Sequence, residues 1–148
     1  MLEHPILAID HGDSRVGLAC TDPVGIAVHP LATVPKGSAL EEVATYIRQK
    51  GIKLLVIGLP LLKDGAEGES AEKARAFAST LKEVFSDIPQ QFIDESFTTV
   101  DAARKLHGVG LNAKKQKGVI DQVAAMEILS RYLNENDSGF SEEIPFPH

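Results

Sequence analysis

Between Lys53 and Gly58 the chain runs apolar without a break, Leu54-Leu55-Val56-Ile57. A strand with one wet face alternates apolar and polar residues, whereas an unbroken run is expected of a strand buried on both faces. Such a strand needs a covering layer on each side, and the flanking sequence supplies helices. Ser38-Ala39-Leu40-Glu41 reads as a capping box. It opens a helix to about Lys50, with Leu40, Val43, Ala44 and Ile47 on one face and Gly51 as its stop. Leu59-Pro60 ends the strand, and Leu61 to Glu69, holding Asp64-Gly65 and Gly68, reads as a mobile loop. Ser70 to about Phe85 is a second helix, with Ala74, Phe77, Ala78, Leu81 and Phe85 inward. After Pro89, Gln91-Phe92-Ile93-Asp94-Glu95 reads as a further strand.

The first third of the chain is patterned differently. Ile6 to Asp10 and Val16 to Thr21 are short apolar strands, joined by a tight reversal at Gly12 and Asp13. Gly25 to Val34 is a third, which Pro30 assigns to an edge or a bulge. Toward the end, Thr98-Thr99-Val100-Asp101 caps a helix through about Leu106, Gly108 to Gly118 reads as a loop, and Val119 to about Asn134 is the last helix. Antiparallel strands followed by helix crossovers predict an α/β fold: a five-stranded mixed sheet, meander first and parallel strands after, flanked by helices. Residues 1–137 are expected to form one domain. The tail 138–148, with Glu142, Glu143, Pro145 and Pro147, is expected to be disordered.

Composition narrows the function classes. The chain has 148 residues, 43% hydrophobic, which suffices for one core. The single Cys20 forms no internal disulfide and suits a reducing cytoplasm. No apolar stretch approaches the roughly 20 residues of a membrane span, and the start lacks the features of a signal segment. The net charge of -6 argues against nucleic acid, but its distribution argues the other way. Arg104, Lys105, Lys114, Lys115 and Lys117 fall between Ala102 and Ile120 with no acid among them. A phosphate backbone responds to such a local patch; a solvated helix face would have the same composition.

Three acids stand where acids are costly. Asp10 closes the first strand before a glycine turn, Glu95 closes the last strand, and Asp121 shares a helical face with Ala124, Ala125, Ile128 and Tyr132. Each has a plain alternative: a turn residue, a cap, and a carboxylate satisfied by helix N-terminal amides. Together they suggest a hard-ligand site for Mg2+ or Mn2+, suited to phosphodiester hydrolysis. Asp94 and Glu95 point to opposite faces of a strand, so one of them joins the cluster, and Glu95 is chosen. His4, His11, His29, His107 and His148 show no zinc spacing, and the sequence has no Walker pattern, serine elbow or dinucleotide fingerprint.

Ala8-Ile9-Asp10-His11-Gly12, followed by Arg15-Val16-Gly17-Leu18-Ala19, resembles the opening motif of the YqgF proteins, which are RNase H-like and Holliday-junction-resolvase-like and are also described as pre-16S rRNA nucleases. The resemblance continues through Val56-Ile57-Gly58-Leu59-Pro60, Asp64-Gly65, Asp94-Glu95-Ser96-Phe97-Thr98-Thr99, and Lys117-Gly118 to Asp121 with Ala124-Ala125, Ile128-Leu129 and Tyr132-Leu133. It implies an RNase H-like fold and a metal-dependent endonuclease with Asp10, Glu95 and Asp121 as catalytic, metal-binding acids. The implied substrates are the 5′ end of 16S rRNA precursor or, alternatively, four-way DNA. Arg15, Arg104, Lys114, Lys115 and Lys117 are then the expected nucleic-acid contacts. One departure stands out: many family members carry Arg after the Asp-Glu pair, and this chain has Ser96.

Two other readings compete with the nuclease. An ATP-binding lobe of the actin and sugar-kinase type also opens on a strand ending in Asp-x-Gly, but clamps nucleotide between two lobes where this chain has room for one. A noncatalytic, ribosome-associated RNA-binding factor gains weight from Ser96. A homodimer would suit a two-fold junction and a monomer would suit trimming of one end; no residue pattern decides between them.

Overall fold

The computed structural model describes residues 2–95 and the backbone of 113–136, the latter with side chains from residue 119. Five strands form one sheet: β1 (Ile6–His11), β2 (Arg15–Thr21), β3 (Val28–Pro35), β4 (Leu54–Pro60) and β5 (Gln90–Glu95), in the order β3-β2-β1-β4-β5. β1 to β3 pair antiparallel; β4 and β5 join in parallel. The helices are α1 (Ala39–Lys50), α2 (Glu69–Val84) and α3 (Ala113–Asn136). The expected helix from Thr98 to Leu106 and the tail from residue 138 lie outside the described residues.

Side-chain alternation divides the core into two layers. Leu7, Ile9, Val16, Leu18, Leu55 and Ile57 pack against α1 and α2. Ile6, Ala8, Ala19, Val56 and Ile93 pack against Ala125, Ile128, Leu129 and Tyr132 of α3. β4 is buried from Leu54 to Leu59, as its unbroken apolar run requires. Pro30 sits on the edge strand at the one register shift of the β2–β3 pair, where its missing N–H costs no ladder bond.

Several boundaries differ from the sequence reading, each for a local reason. β3 begins at Val28 rather than Gly25, because the Asp22 carboxylate accepts the amides of Val24, Gly25, Ile26 and Ala27. That closes residues 22–27 into a turn with Gly25 at φ +82°. Ser38 makes no capping bond to the backbone; its hydroxyl donates to the Glu42 carboxylate after a short 3-10 turn. Ala39, in step with Val43 and Ile47, faces the core in place of Leu40, which is exposed. Gly51 caps α1 in the left-handed conformation, as expected. The stretch after β4 folds back on itself through a Leu61–Glu67 bridge and a bond from the Leu62 amide to the Ala66 carbonyl.

The largest correction concerns α3, which begins at Ala113, not Val119. Ala-Lys-Lys-Gln-Lys is a run of strong helix formers, and one Gly118 does not outweigh it. Lys114, Lys115 and Lys117, expected in a loop, therefore belong to a helix, and the part of that expected loop before Ala113 lies outside the described residues.

Candidate active site

The sheet register builds the site. Asp10 is directly opposite Gly17 across the β1–β2 pair. Even-numbered residues of β1 and odd-numbered residues of β2 and β5 share the face that packs on α3. Asp10, Arg15, Gly17 and Glu95 are therefore on one face, and α3 passes over them. Gly17 permits the approach: a β-carbon there would lie 2.1 Å from the Asp121 carbonyl oxygen. A glycine inside a strand often marks such a close backbone passage. Gly58 does the same beneath Glu95 and Ile128, whose Oε2 and Cδ1 would lie 3.2 Å and 2.4 Å from an added β-carbon.

Asp10, Glu95 and Asp121 line a single groove of about 750 Å³, bordered also by Gly12 to Arg15 and by Pro60 to Lys63. Asp10 and Glu95 are hydrogen-bonded to each other. Burial pushes both carboxyls up from their ordinary range. A hydrogen bond between two carboxyls needs one proton, so the pair holds together with one acid protonated. The charge of Asp10 holds Glu95 up further, Arg131 partly opposes it, and the charge of Asp121 adds to the upward push on Asp10.

Asp121 is turned elsewhere. Arg15 Nε donates to Asp121 Oδ2 at 2.6 Å, with Asp121 only 14% exposed and Arg15 39%. Because α3 starts at Ala113, Asp121 lies beyond the first two turns, where helix amides are already engaged. The arginine, rather than the helix N-terminus, satisfies this carboxylate. Among the described residues, no three His, Cys, Asp or Glu side chains stand close enough to hold one ion as they are arranged here.

His11 points away from Asp10, as strand alternation predicts, with its ring 4.9 Å from that of Phe77. Burial, assisted by Lys36, lowers its pKa and favours the neutral ring. Asp94 faces away from the acid pair, and its carbonyl accepts a bond from Arg131. Of the expected nucleic-acid contacts, Arg15 lies in the groove; Arg104 and the side chains of Lys114, Lys115 and Lys117 lie outside what is described. The sequence reading takes Gly58-Leu59-Pro60 as a strand end or a substrate wall and gives Gly17 no role in the site, although a glycine inside an apolar strand is the available signal. No helix among the described residues is long and apolar enough to cross a membrane.

A mixed sheet of this order, with acids on the two strands that flank β4 beneath a covering helix, is the RNase H-like architecture, and the class is a nuclease. The chain belongs to the family described as RuvX: Holliday junction resolvase, whose model matches residues 4–135. Relatives named "Putative pre-16S rRNA nuclease" include one from Chloroflexus aurantiacus, 36% identical and spanning 100% of this chain and 98% of its own. Another, from Streptomyces avermitilis, is 40% identical over 90% of this chain and 88% of its own. The fold is similar to that of T. thermophilus RuvC, solved in complex with Holliday junction substrate, at a TM-score of 0.57 and 13% identity, covering 89% of this chain and 96% of that one.

Proposed function

We propose that this protein is a metal-dependent endonuclease of the cytoplasm that processes the 5′ end of 16S rRNA precursor, with Asp10, Glu95 and Asp121 holding Mg2+ or Mn2+. The observation that carries the reading is the Asp10–Glu95 pair, two half-buried acids hydrogen-bonded to each other in a groove that Asp121 also lines. Two like charges in a buried site are costly to ionise together, and a divalent cation relieves that cost. The donor set is all oxygen, as Mg2+ and Mn2+ prefer. When bound, such an ion supplies an activated water and charge stabilisation for the leaving oxygen. Glu95, hydrogen-bonded to Asp10 in the groove, is suited to orient that water. Arg15 and Lys63 give the groove cations for phosphate oxygens. The names of the relatives support the RNA substrate.

The family description favours a second substrate, four-way DNA, on which a homodimer would place two symmetric cuts. The test is cleavage of a 16S precursor 5′ segment beside a four-way DNA junction in Mg2+ and Mn2+, with Asp10→Asn as control. Asp10-dependent cutting of the precursor is expected; cutting of the junction alone selects the second substrate. Tight RNA binding that Asp10→Asn leaves unchanged, with no cleavage of either substrate, would instead make the chain a noncatalytic binding factor.

A further inference from the structure

As arranged here, Asp121 is not gathered with the other two acids into one ligand set, and its carboxylate is paired with a guanidinium instead. Arg15 is the first residue of β2, directly after the Gly12 turn, whose amide donates to the Arg15 carbonyl at 2.9 Å. Its backbone is therefore pinned, while its side chain is 39% exposed along the groove. Among the described residues, Asp121 is its one hydrogen-bonding partner. The Asp121 oxygen that Arg15 occupies belongs to the carboxylate whose charge reaches Asp10.

We propose that Arg15 is a positioning residue that couples the two ligands of the groove. It holds Asp121 while the acids carry no cation, and when Asp121 turns to a cation it frees its guanidinium for a substrate phosphate. This rests on the metal-binding role proposed above for Asp10, Glu95 and Asp121. A guanidinium and a divalent cation compete for one carboxylate, and a carboxylate and a phosphate compete for one guanidinium. Each ligand thus removes the competitor of the other, and their binding is cooperative in both directions. Without nucleic acid, Arg15 weakens cation binding; with a cation present, it strengthens nucleic-acid binding.

Two titrations test the coupling. In the first, Mn2+ binds the wild type and Arg15→Gln without nucleic acid, with free Mn2+ followed by electron paramagnetic resonance. Arg15→Gln is expected to bind Mn2+ about three- to tenfold more tightly, the range for loss of a partly exposed charged competitor. In the second, a fluorescent single-stranded RNA is titrated by anisotropy in EDTA and in Ca2+, an oxygen-preferring cation. Arg15→Gln is expected to weaken RNA binding about three- to tenfold in Ca2+ and by less than about twofold in EDTA. Equal Mn2+ affinity in the two proteins overturns the competition while leaving the metal site standing. Equal loss of RNA affinity in EDTA and in Ca2+ overturns the exchange and makes Arg15 a simple phosphate contact. Absence of Mn2+ binding by both proteins overturns the metal site and the coupling together. In the wild type, the Arg15 Nε–H resonance is expected to shift on adding Mg2+; a fixed resonance at saturating Mg2+ also overturns the exchange.

Discussion

The backbone of Asp121 rests on Gly17, so closely that a β-carbon at Gly17 would stand 2.1 Å from the Asp121 carbonyl oxygen. Gly17 in turn is the cross-strand partner of Asp10. One glycine therefore sets the distance between the helix that carries one acid and the strand that carries another. The atom in the way is backbone and cannot rotate aside. Gly17→Ala is expected to cost about 2 kcal/mol or more and to lower Tm by roughly 5 °C or more. Gly37→Ala, where an added β-carbon meets nothing within 4 Å, is the matching control and should leave Tm nearly unchanged. Thermal melts of both variants check it.

Gly58 predicts a different balance. An alanine there meets the Ile128 δ-methyl, the end of a flexible side chain in the core, and the Glu95 carboxylate, which would have to shift within the groove. Gly58→Ala is expected to lower Tm by only a few degrees, ~2–4 °C, and to reduce cleavage about tenfold or more through displacement of Glu95. A loss of stability with full cleavage rate would show that Glu95 tolerates the shift.

The half-buried acid pair is expected to make stability fall as pH rises. Both carboxyls are raised in the folded protein, so between their unfolded and folded pKa values the native state holds more protons than the unfolded chain. Their protonated forms favour the fold at low pH, and that advantage is lost as pH climbs through the folded values. Glu95→Gln removes one titration and should raise Tm in EDTA by ~3 °C or more at pH 8, with a smaller gain at pH 5. The Tm gain from Mn2+ in the wild type should likewise be larger at pH 8, because the protons must leave first. A Glu95→Gln effect independent of pH would contradict the shared proton.

Asp22 titrates in the opposite sense. Burial alone pushes its carboxyl up, but four backbone amides outweigh that and hold it at about 2. Its stabilisation is present above the unfolded value of roughly 4 and is lost as pH falls through about 2. Asp22→Ala should cost ~1–2 kcal/mol at pH 7, as loss of a carboxylate cap does, and little near pH 2. Chemical denaturation at the two pH values measures the difference.

Much of this molecule was legible in its sequence because its signals are local. The unbroken Leu54–Ile57 run required covering layers on both faces of the sheet, and the two-residue period of β1, β2 and β5 assigned Asp10 and Glu95 to a face. The helical projection of Asp121 toward Ala124, Ala125 and Ile128 survived even though α3 starts earlier than expected, because a longer helix keeps the same angular order. The start of α3 was misplaced because one glycine was read as a boundary, while five strong helix formers preceded it.

The sequence by itself determined the layer order, the mixed sheet and which acids could meet, since periodicity is a property of the chain. Tertiary structure alone decided what those acids do on meeting. Glu95 reaches Asp10 only because Gly58 leaves space between β1 and β5, and Asp121 is held by Arg15 only because Gly17 lets two backbones touch. Contacts between residues more than a hundred positions apart, such as Arg15 and Asp121, depend on the packing distance between layers. No local pattern encodes that distance; the side-chain volumes trapped between helix and sheet set it.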